Sequence, residues 1–131
     1  MHTETRLFAY GTLLPGEPRW QFLVPYVVDE GTPAVVRGTL YDTGEGYPAA
    51  MFNTDSTEHE IVKGRVFVLR GESLDEAIAV LDDVEGAVEG GYARVRVTTI
   101  DGDEAWAYQY GGGLALEPIV GGSWINRFDA P

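Results

Sequence analysis

The sequence contains no cysteine. Disulfide bonds, a thiol nucleophile and thiolate ligands for a metal are therefore excluded. A chain without cysteine also fits a reducing compartment, where disulfides do not form. We therefore expect a cytoplasmic protein whose stability and chemistry depend on other side chains.

Basic residues are scarce, and long apolar runs are missing. The chain has 9 basic residues against 21 acidic ones, its net charge is −12, and Lys63 is its single lysine. Nucleic acids bind clustered lysine and arginine side chains, so we expect no nucleic-acid partner. The same shortage argues against a strongly anionic substrate held by lysines. The first apolar run is too short for a signal sequence or a membrane span, so we expect no membrane association.

The signatures of several common enzyme sites are absent as well. His2 and His59 stand alone in polar segments, without a second metal ligand at a useful spacing. No serine stands in a nucleophile elbow, and no phosphate loop or dinucleotide fingerprint is present. We therefore expect no metal and no cofactor, and an enzyme of this sequence would work with a carboxylate and backbone dipoles.

The 131 residues predict one domain, 1–131, built mainly of strands. Short β-branched and aromatic runs alternate with turn residues, which favours antiparallel pairing. Gly38 indicates a bulge or a close approach of two backbones, and Asp101-Gly102 predicts a hairpin. The expected fold class is α+β, mainly β: a small mixed, partly antiparallel barrel with one or two short flanking helices. The predicted strands cover 5–10, 26–28, 34–41, 50–52, 61–69, 92–100 and 105–110, the predicted loop covers 42–50, and the predicted helices cover 17–24 and a segment after Ser73.

The tetrapeptide Tyr10-Gly11-Thr12-Leu13 stands where an apolar run gives way to a turn-rich segment. At such a strand end the backbone exposes successive N–H groups, which form a concavity suited to an anionic group. Gly11 has no Cβ, so a ligand can approach the main chain closely there. Alternatively, Gly11 only permits a turn. The local sequence leaves both interpretations open.

The clearest helix of the sequence carries one carboxylate on its apolar face. Ser73 and Glu76 form a capping box at its start. One further turn of the apolar stripe reaches Glu85, ahead of the predicted terminator Gly86. Burial and the helix dipole both disfavour a carboxylate there and raise its pKa, so Glu85 is a candidate proton shuttle. The stripe consists of Leu74, Ala77, Ile78 and Leu81.

The alternative is a helix that ends at Asp82-Asp83, with Glu85 turned to water. Acidic loop residues are common in a chain whose net charge is −12. Asp82 and Asp83 lie off the apolar stripe or at its border, and we expect both to be solvated. A second role for Asp82 is to cap a neighbouring loop.

Several blocks of the sequence resemble the gamma-glutamylcyclotransferase-like family and occur in that family's order. The opening block Tyr10-Gly11-Thr12-Leu13 is similar to the family's Tyr-Gly-(Ser/Thr)-Leu signature. The most specific block is Leu81-Asp82-Asp83-Val84-Glu85-Gly86, and Tyr92-Ala93-Arg94 follows it. Together the blocks span nearly the whole chain. The remaining blocks are Val36-Arg37-Gly38-Thr39-Leu40-Tyr41, Tyr47-Pro48-Ala49, Val62-Lys63-Gly64-Arg65-Val66-Phe67, Trp106-Ala107-Tyr108 and Gly122-Ser123-Trp124.

The resemblance implies a small barrel with flanking helices and a pocket at its mouth. The main-chain N–H groups of Gly11, Thr12 and Leu13 would hold a γ-glutamyl group there. Glu85 falls on the family's catalytic glutamate, and Tyr92 falls on a tyrosine that lines the pocket in several members. Dimers are known in the family, so a monomer or a homodimer is expected.

The implied activity is an intramolecular cyclisation of transferase or lyase type. A γ-glutamyl amine or γ-glutamyl amino acid would give 5-oxoproline and a free amine, with Glu85 as general base and acid. Tyr10 belongs to the same implied substrate site. An alternative is a non-catalytic module that binds a carboxylate-bearing or γ-glutamyl small molecule, and a third is lyase or transferase chemistry on another amide-like metabolite.

Overall fold

The computed structural model describes residues 5–44, 46–52, 61–86, 91–112, 116–119 and 121–125. His2 and His59 lie outside these ranges. Two 3-10 turns, at Val24–Tyr26 and Gly71–Ser73, adjoin the two α-helices. In chain order the elements are β1 (Arg6–Ala9), α1 (Trp20–Leu23), β2 (Thr32–Arg37), β3 (Thr39–Asp42), β4 (Pro48–Met51), β5 (Ile61–Val68), α2 (Leu74–Gly86), β6 (Ala93–Thr98), β7 (Glu104–Gln109) and β8 (Glu117–Pro118).

The strands form two sheets, with the orders β2-β5-β1-β7-β6 and β4-β3-β8. β1 and β7 run parallel, and the other paired neighbours run antiparallel. In the described residues the outer strands β2 and β6 meet only near the bridge between Val36 and Thr99, where the Ile100 N–H donates to the Val35 carbonyl at 2.9 Å. The expected mixed α+β class, mainly β, is confirmed. The large sheet curls without closing, so the expected barrel describes its curvature and not a closed structure.

Gly38 marks the point at which the chain leaves the first sheet for the second. Its φ is +156°, and a Cβ there would stand 2.5 Å from the Met51 carbonyl oxygen. The close approach predicted for Gly38 is therefore confirmed. The strand predicted over 34–41 divides at this residue into β2, which pairs with β5, and β3, which pairs with β4.

Long-range pairing also changes the connection that follows. The loop predicted over 42–50 contains the start of β4, because Pro48–Met51 pairs with β3. The hairpin predicted at Asp101-Gly102 is confirmed, since β6 and β7 pair on either side of it. The hairpin is determined by its own turn residues, which a local pattern can predict. β4, in contrast, forms because it pairs with β3.

Two predictions at element ends were wrong. Residues 26–28 do not form a strand; a 3-10 turn ends at Tyr26, and Val27 makes one bridge to Leu69. Ser73 directly precedes α2, but it does not cap the start of the helical segment. It closes the 3-10 turn Gly71–Ser73, so the helical segment begins before it.

β1 lies in the middle of the large sheet, and both of its faces are buried. Leu7 and Ala9 belong to one core cluster together with Leu81 of α2, whereas Phe8 and Tyr10 belong to another on the opposite face. Successive side chains of a strand point to opposite faces. A strand covered on both sides therefore needs a continuous apolar run, which is what Leu7 to Tyr10 supplies.

α2 carries its apolar stripe through to its last turn. The helix runs from Leu74 to Gly86, and Ala77, Leu81 and Glu85 are its buried residues. The predicted helical phase is confirmed, and the alternative of a helix ending at Asp82-Asp83 is wrong. α2 contacts α1 and β6. Within the described ranges no helix combines the length and the apolar character needed to cross a bilayer.

Candidate active site

The turn after β1 is buried and packs against the start of β4. A Cβ on Gly11 would stand 2.5 Å from Cγ and 2.8 Å from Cδ of Pro48. The missing side chain of Gly11 therefore makes room for the Pro48 ring. We expected the missing Cβ of Gly11 to make room for a ligand. This explanation was wrong, because the Pro48 ring fills the space where a Cβ would lie.

Two carbonyl groups of this turn accept backbone hydrogen bonds. The Leu14 N–H donates to the Gly11 carbonyl at 3.1 Å, and the Arg19 N–H donates to the Thr12 carbonyl at 2.8 Å. Within the part of the chain that the structure describes, the N–H groups of Gly11, Thr12 and Leu13 have no hydrogen-bond acceptor. Three successive unbonded donors at a strand end are suited to bind an anionic group.

Glu85 reaches this turn from the last turn of α2. Its side chain is 8% exposed, and no hydrogen bond or ion pair to it is found among the described residues. Burial raises its pKa to about 7, and the positive charge of Arg19 opposes part of that shift. A carboxyl group with this pKa can take up and release a proton near neutral pH.

A small cavity joins the two features, and we call it the Glu85 cavity. Its volume is about 20 Å³, which is room for a group of the size of a water molecule. A larger ligand enters only when side chains around it move. The lining contains every predicted site residue, and its members are Phe8, Ala9, Tyr10, Gly11, Thr12, Leu13, Arg19, Tyr47, Pro48, Glu85, Tyr92 and Tyr108.

The hydroxyl groups of Tyr10 and Tyr92, which line the cavity, are bonded to protein. The Tyr92 hydroxyl donates to the Pro48 carbonyl at 2.5 Å, and the Tyr10 hydroxyl donates to the Tyr108 carbonyl. Burial raises the pKa of both phenols, and the carboxylate of Glu85 raises each further. Both hydroxyls therefore stay protonated at neutral pH and hold the walls of the Glu85 cavity in place.

Arg19 is a residue of the site that the sequence did not single out. Its guanidinium donates to the Thr12 hydroxyl at 2.9 Å and lies 5.3 Å from the centroid of the Tyr47 ring. Arg19 lies within the helix predicted over 17–24, and no motif or spacing in the sequence indicated a functional role for it. Its role depends on the fold of the turn, because the Thr12 carbonyl also binds the Arg19 N–H.

Asp82 is exposed, as predicted, and it also has protein partners that the sequence did not indicate. It accepts a 2.8 Å hydrogen bond from the Tyr108 hydroxyl and a 3.0 Å hydrogen bond from Arg94 Nε. Its side chain stays 45% exposed. Asp82 thus ties α2 to β6 and β7, three residues before Glu85.

The described residues offer no obvious metal site. In these ranges no three histidine, aspartate or glutamate side chains lie close enough to hold one metal ion. Among the described residues that line the Glu85 cavity, the charged groups are one carboxyl and one guanidinium, and the N–H groups of one turn lie beside them. This set can bind a carboxylate, stabilise an oxyanion and move a proton.

Solved structures with the same fold are known at low sequence identity. An uncharacterised protein from Pyrococcus horikoshii is 22% identical, with a TM-score of 0.63 over 92% of this chain and 89% of that one. An AIG2-like protein from Mus musculus is 18% identical, with a TM-score of 0.62 over 86% and 81%. A structure described as gamma-glutamyl cyclotransferase is 18% identical, with a TM-score of 0.50 over 90% and 73%. These likenesses concern the fold.

Sequence comparison identifies the family. No curated protein matches the sequence. The family model described as "Gamma-glutamyl cyclotransferase, AIG2-like" matches residues 7–126, from Leu7 in β1 to beyond Trp124. The match also includes the turn after β1 and Glu85. The chain therefore belongs to the AIG2-like gamma-glutamyl cyclotransferase family.

Proposed function

We propose that the protein is a γ-glutamylcyclotransferase. It converts a γ-glutamyl amine or a γ-glutamyl amino acid into 5-oxoproline and the free amine. Membership of the AIG2-like family supports this class of activity. The observation that carries the proposal is the position of Glu85, a buried carboxyl with a pKa of about 7 in one cavity with the N–H groups after β1.

The reaction is an acyl transfer within one molecule. The α-amino nitrogen of the γ-glutamyl group attacks the γ-carbonyl carbon, and a new carbon–nitrogen bond closes the five-membered lactam. The original amide bond breaks, and its nitrogen leaves as the free amine. Because nucleophile and carbonyl belong to the same molecule, the enzyme mainly has to select the folded-back conformer. Once the side chains around the Glu85 cavity have moved to admit the substrate, its walls can make that selection.

One proton has to move during this reaction, and Glu85 is placed to move it. The α-ammonium group must lose a proton before its nitrogen can attack, and the leaving nitrogen must gain one. Glu85 accepts the first proton as a carboxylate and returns it as a carboxylic acid, so it ends in its starting state. A pKa near the working pH makes both transfers accessible.

In this proposal the N–H groups of Gly11, Thr12 and Leu13 stabilise negative charge on the substrate. They donate either to the α-carboxylate of the γ-glutamyl group or to the oxyanion that develops on the γ-carbonyl oxygen. Both groups are negatively charged. The desolvated surroundings of the turn strengthen hydrogen bonds to either of them.

The test is an incubation with a panel of γ-glutamyl amines and γ-glutamyl amino acids, with 5-oxoproline as the measured product. Glu85→Gln should lower kcat by about 10²- to 10⁴-fold, which is the usual contribution of a general acid or base. Binding of the substrate, measured by calorimetry, should persist. Asp83→Asn is the control, because Asp83 is exposed on the same helix.

Two results would contradict the proposal. If Glu85→Gln releases 5-oxoproline at the rate of the parent protein, Glu85 is not the proton shuttle. If a member of the panel binds tightly and none is turned over, the protein is a binding module on this fold.

A further inference from the structure

Arg19 has hydrogen-bonding capacity that the described residues do not use. A guanidinium carries five N–H donors, and the structure assigns one of its hydrogen bonds to the Thr12 hydroxyl, at 2.9 Å. No ion pair of Arg19 is found within the described part of the chain. No described residue occupies the remaining donors, and a ligand carboxylate is a suitable acceptor for them.

The ring of Tyr47 holds the guanidinium in a defined orientation. The centroid of the ring lies 5.3 Å from Arg19 Cζ, within the range of a cation–π contact. One face of the guanidinium is thus covered, and one nitrogen is anchored to Thr12. A planar group fixed at two points is prepared to bind a carboxylate in a bidentate manner.

Among the described residues that line the Glu85 cavity, Arg19 alone carries a positive charge. It lines this cavity together with Glu85 and Tyr92, and its positive charge lowers the pKa of both groups. A positive charge there attracts an anionic part of a ligand.

Arg19 is less deeply buried than the groups that are proposed to bind the γ-glutamyl part of the substrate. Glu85, Thr12 and the rest of the turn are buried, whereas Arg19 and Tyr47 are half-buried. A substrate whose reacting carbonyl reaches Glu85 must direct its leaving amine outwards. The leaving amine then passes the guanidinium.

We propose that Arg19 binds a carboxylate on the leaving amine, so that γ-glutamyl amino acids are the preferred substrates over neutral γ-glutamyl amines. The inference rests on the proposed cyclotransferase activity and names its substrate class. The carboxylate meets the unused donors of Arg19, and the γ-glutamyl part meets the turn after β1 and Glu85.

The test compares two substrates that differ in one group. γ-Glutamyl-alanine and γ-glutamyl-alaninamide have nearly the same shape, but the second has no carboxylate on its leaving amine. The parent protein should show a kcat/KM about 10- to 100-fold higher for the first, as expected for one charge-assisted contact at a half-buried site. Arg19→Gln should reduce this preference to near the intrinsic ratio of the two substrates, and Arg19→Lys should retain part of it.

The change in the ratio of the two kcat/KM values separates recognition of the leaving-group carboxylate from other effects of Arg19. Loss of the guanidinium also alters the pKa of Glu85, but it does so for both substrates. Arg37→Gln is the matched control, since Arg37 is exposed on β2 and does not line the Glu85 cavity. The preference should be unchanged in that variant.

Three results would overturn the inference. One is a parent protein that prefers the amide. Another is an Arg19→Gln variant that loses activity equally towards both substrates, because Arg19 would then hold the γ-glutamyl part or only tune Glu85. The third is an Arg37→Gln variant with the same loss of preference.

A binding measurement separates this inference from the proposed function. Calorimetry on Glu85→Gln, with and without Arg19→Gln, compares the affinities for the two compounds in the absence of turnover. If the parent protein releases no 5-oxoproline but Arg19 still determines the preference for the carboxylate, the cyclotransferase proposal fails and the role of Arg19 stands. Equal affinities for the two compounds with Arg19 present would reject that role.

Discussion

Asp82 accepts a 2.8 Å hydrogen bond from the Tyr108 hydroxyl, and this contact joins the last part of α2 to β7. Arg94 of β6 donates to the same carboxylate oxygen at 3.0 Å. Glu85 follows three residues later, on the buried side of the helix. The orientation of the proposed proton shuttle is thus supported by Asp82, which does not itself line the Glu85 cavity.

Asp82→Ala should therefore lower both stability and turnover. We expect the free energy of unfolding to fall by about 1–2 kcal/mol, since a hydrogen bond to a half-exposed charged group is lost. Urea unfolding monitored by fluorescence measures the change. Asp83→Ala is the control, because it makes the same change of residue type at an exposed neighbouring position. Equal losses in the two variants would show that the contact with Tyr108 contributes nothing.

Stability should depend on pH through Glu85. Its pKa is about 7 in the folded protein, against a model value of 4.5. The folded state therefore binds more protons than the unfolded state between these values, and stability is lost as the pH rises through that window. Glu85→Gln removes this loss. The variant should match the parent protein near pH 4.5 and exceed its free energy of unfolding by about 3 kcal/mol above pH 7.

Chemical denaturation of both proteins across this pH range checks the prediction. The other acidic residues are the same in the two proteins, so the difference between the curves reports Glu85 alone. A constant difference at all pH values would mean that the pKa of Glu85 is not raised.

The pH dependence of turnover should shift when Arg19 is replaced. The positive charge of Arg19 lowers the pKa of Glu85, so its removal should raise that pKa. Because Glu85 must be deprotonated to act as a base, the acid limb of kcat/KM should move to higher pH in Arg19→Gln. The pH profiles of kcat/KM should be recorded with γ-glutamyl-alaninamide. This substrate has no carboxylate on its leaving amine, so the loss of a contact between Arg19 and that carboxylate cannot contribute. A limb that stays in place, or moves to lower pH, would show that the two groups are not coupled.

Gly11→Ala should disturb the site through Pro48. The new methyl group would lie 2.5 Å from the ring of Pro48, so the turn and β4 must move apart. We expect a loss of about 1–3 kcal/mol in the free energy of unfolding, as for other overpacked positions, and a loss of activity. Thermal unfolding and the 5-oxoproline assay measure the two effects.

Gly71→Ala is the matched control for that variant. Gly71 has no positive φ, and nothing lies within 4 Å of the position of its Cβ. Its stability should stay within about 0.5 kcal/mol of the parent protein, as for most surface substitutions. If Gly11→Ala behaves in the same way, the packing against Pro48 does not constrain the turn.

Local sequence patterns determined much of the fold. The alternation in the strand over 61–69, the turn residues Asp101-Gly102 and the helical stripe that ends at Glu85 each depend on neighbours within a few residues. Patterns of this kind report which side of an element is buried. They were sufficient to mark Glu85 as a carboxylate on an apolar face and the turn after β1 as a set of donors.

The tertiary structure decided which side chains share the Glu85 cavity. Pro48 fills the space beside Gly11, Arg19 bonds to Thr12, and Asp82 meets Tyr108. Most of these pairs are far apart in the chain, and the pairing of β3 with β4 and of β6 with β7 brings their residues to the site. Burial patterns say that a side chain points inwards, but they do not say which other side chain it meets. That second property depends on strand order and register, which the hydrophobic pattern of a single segment does not contain.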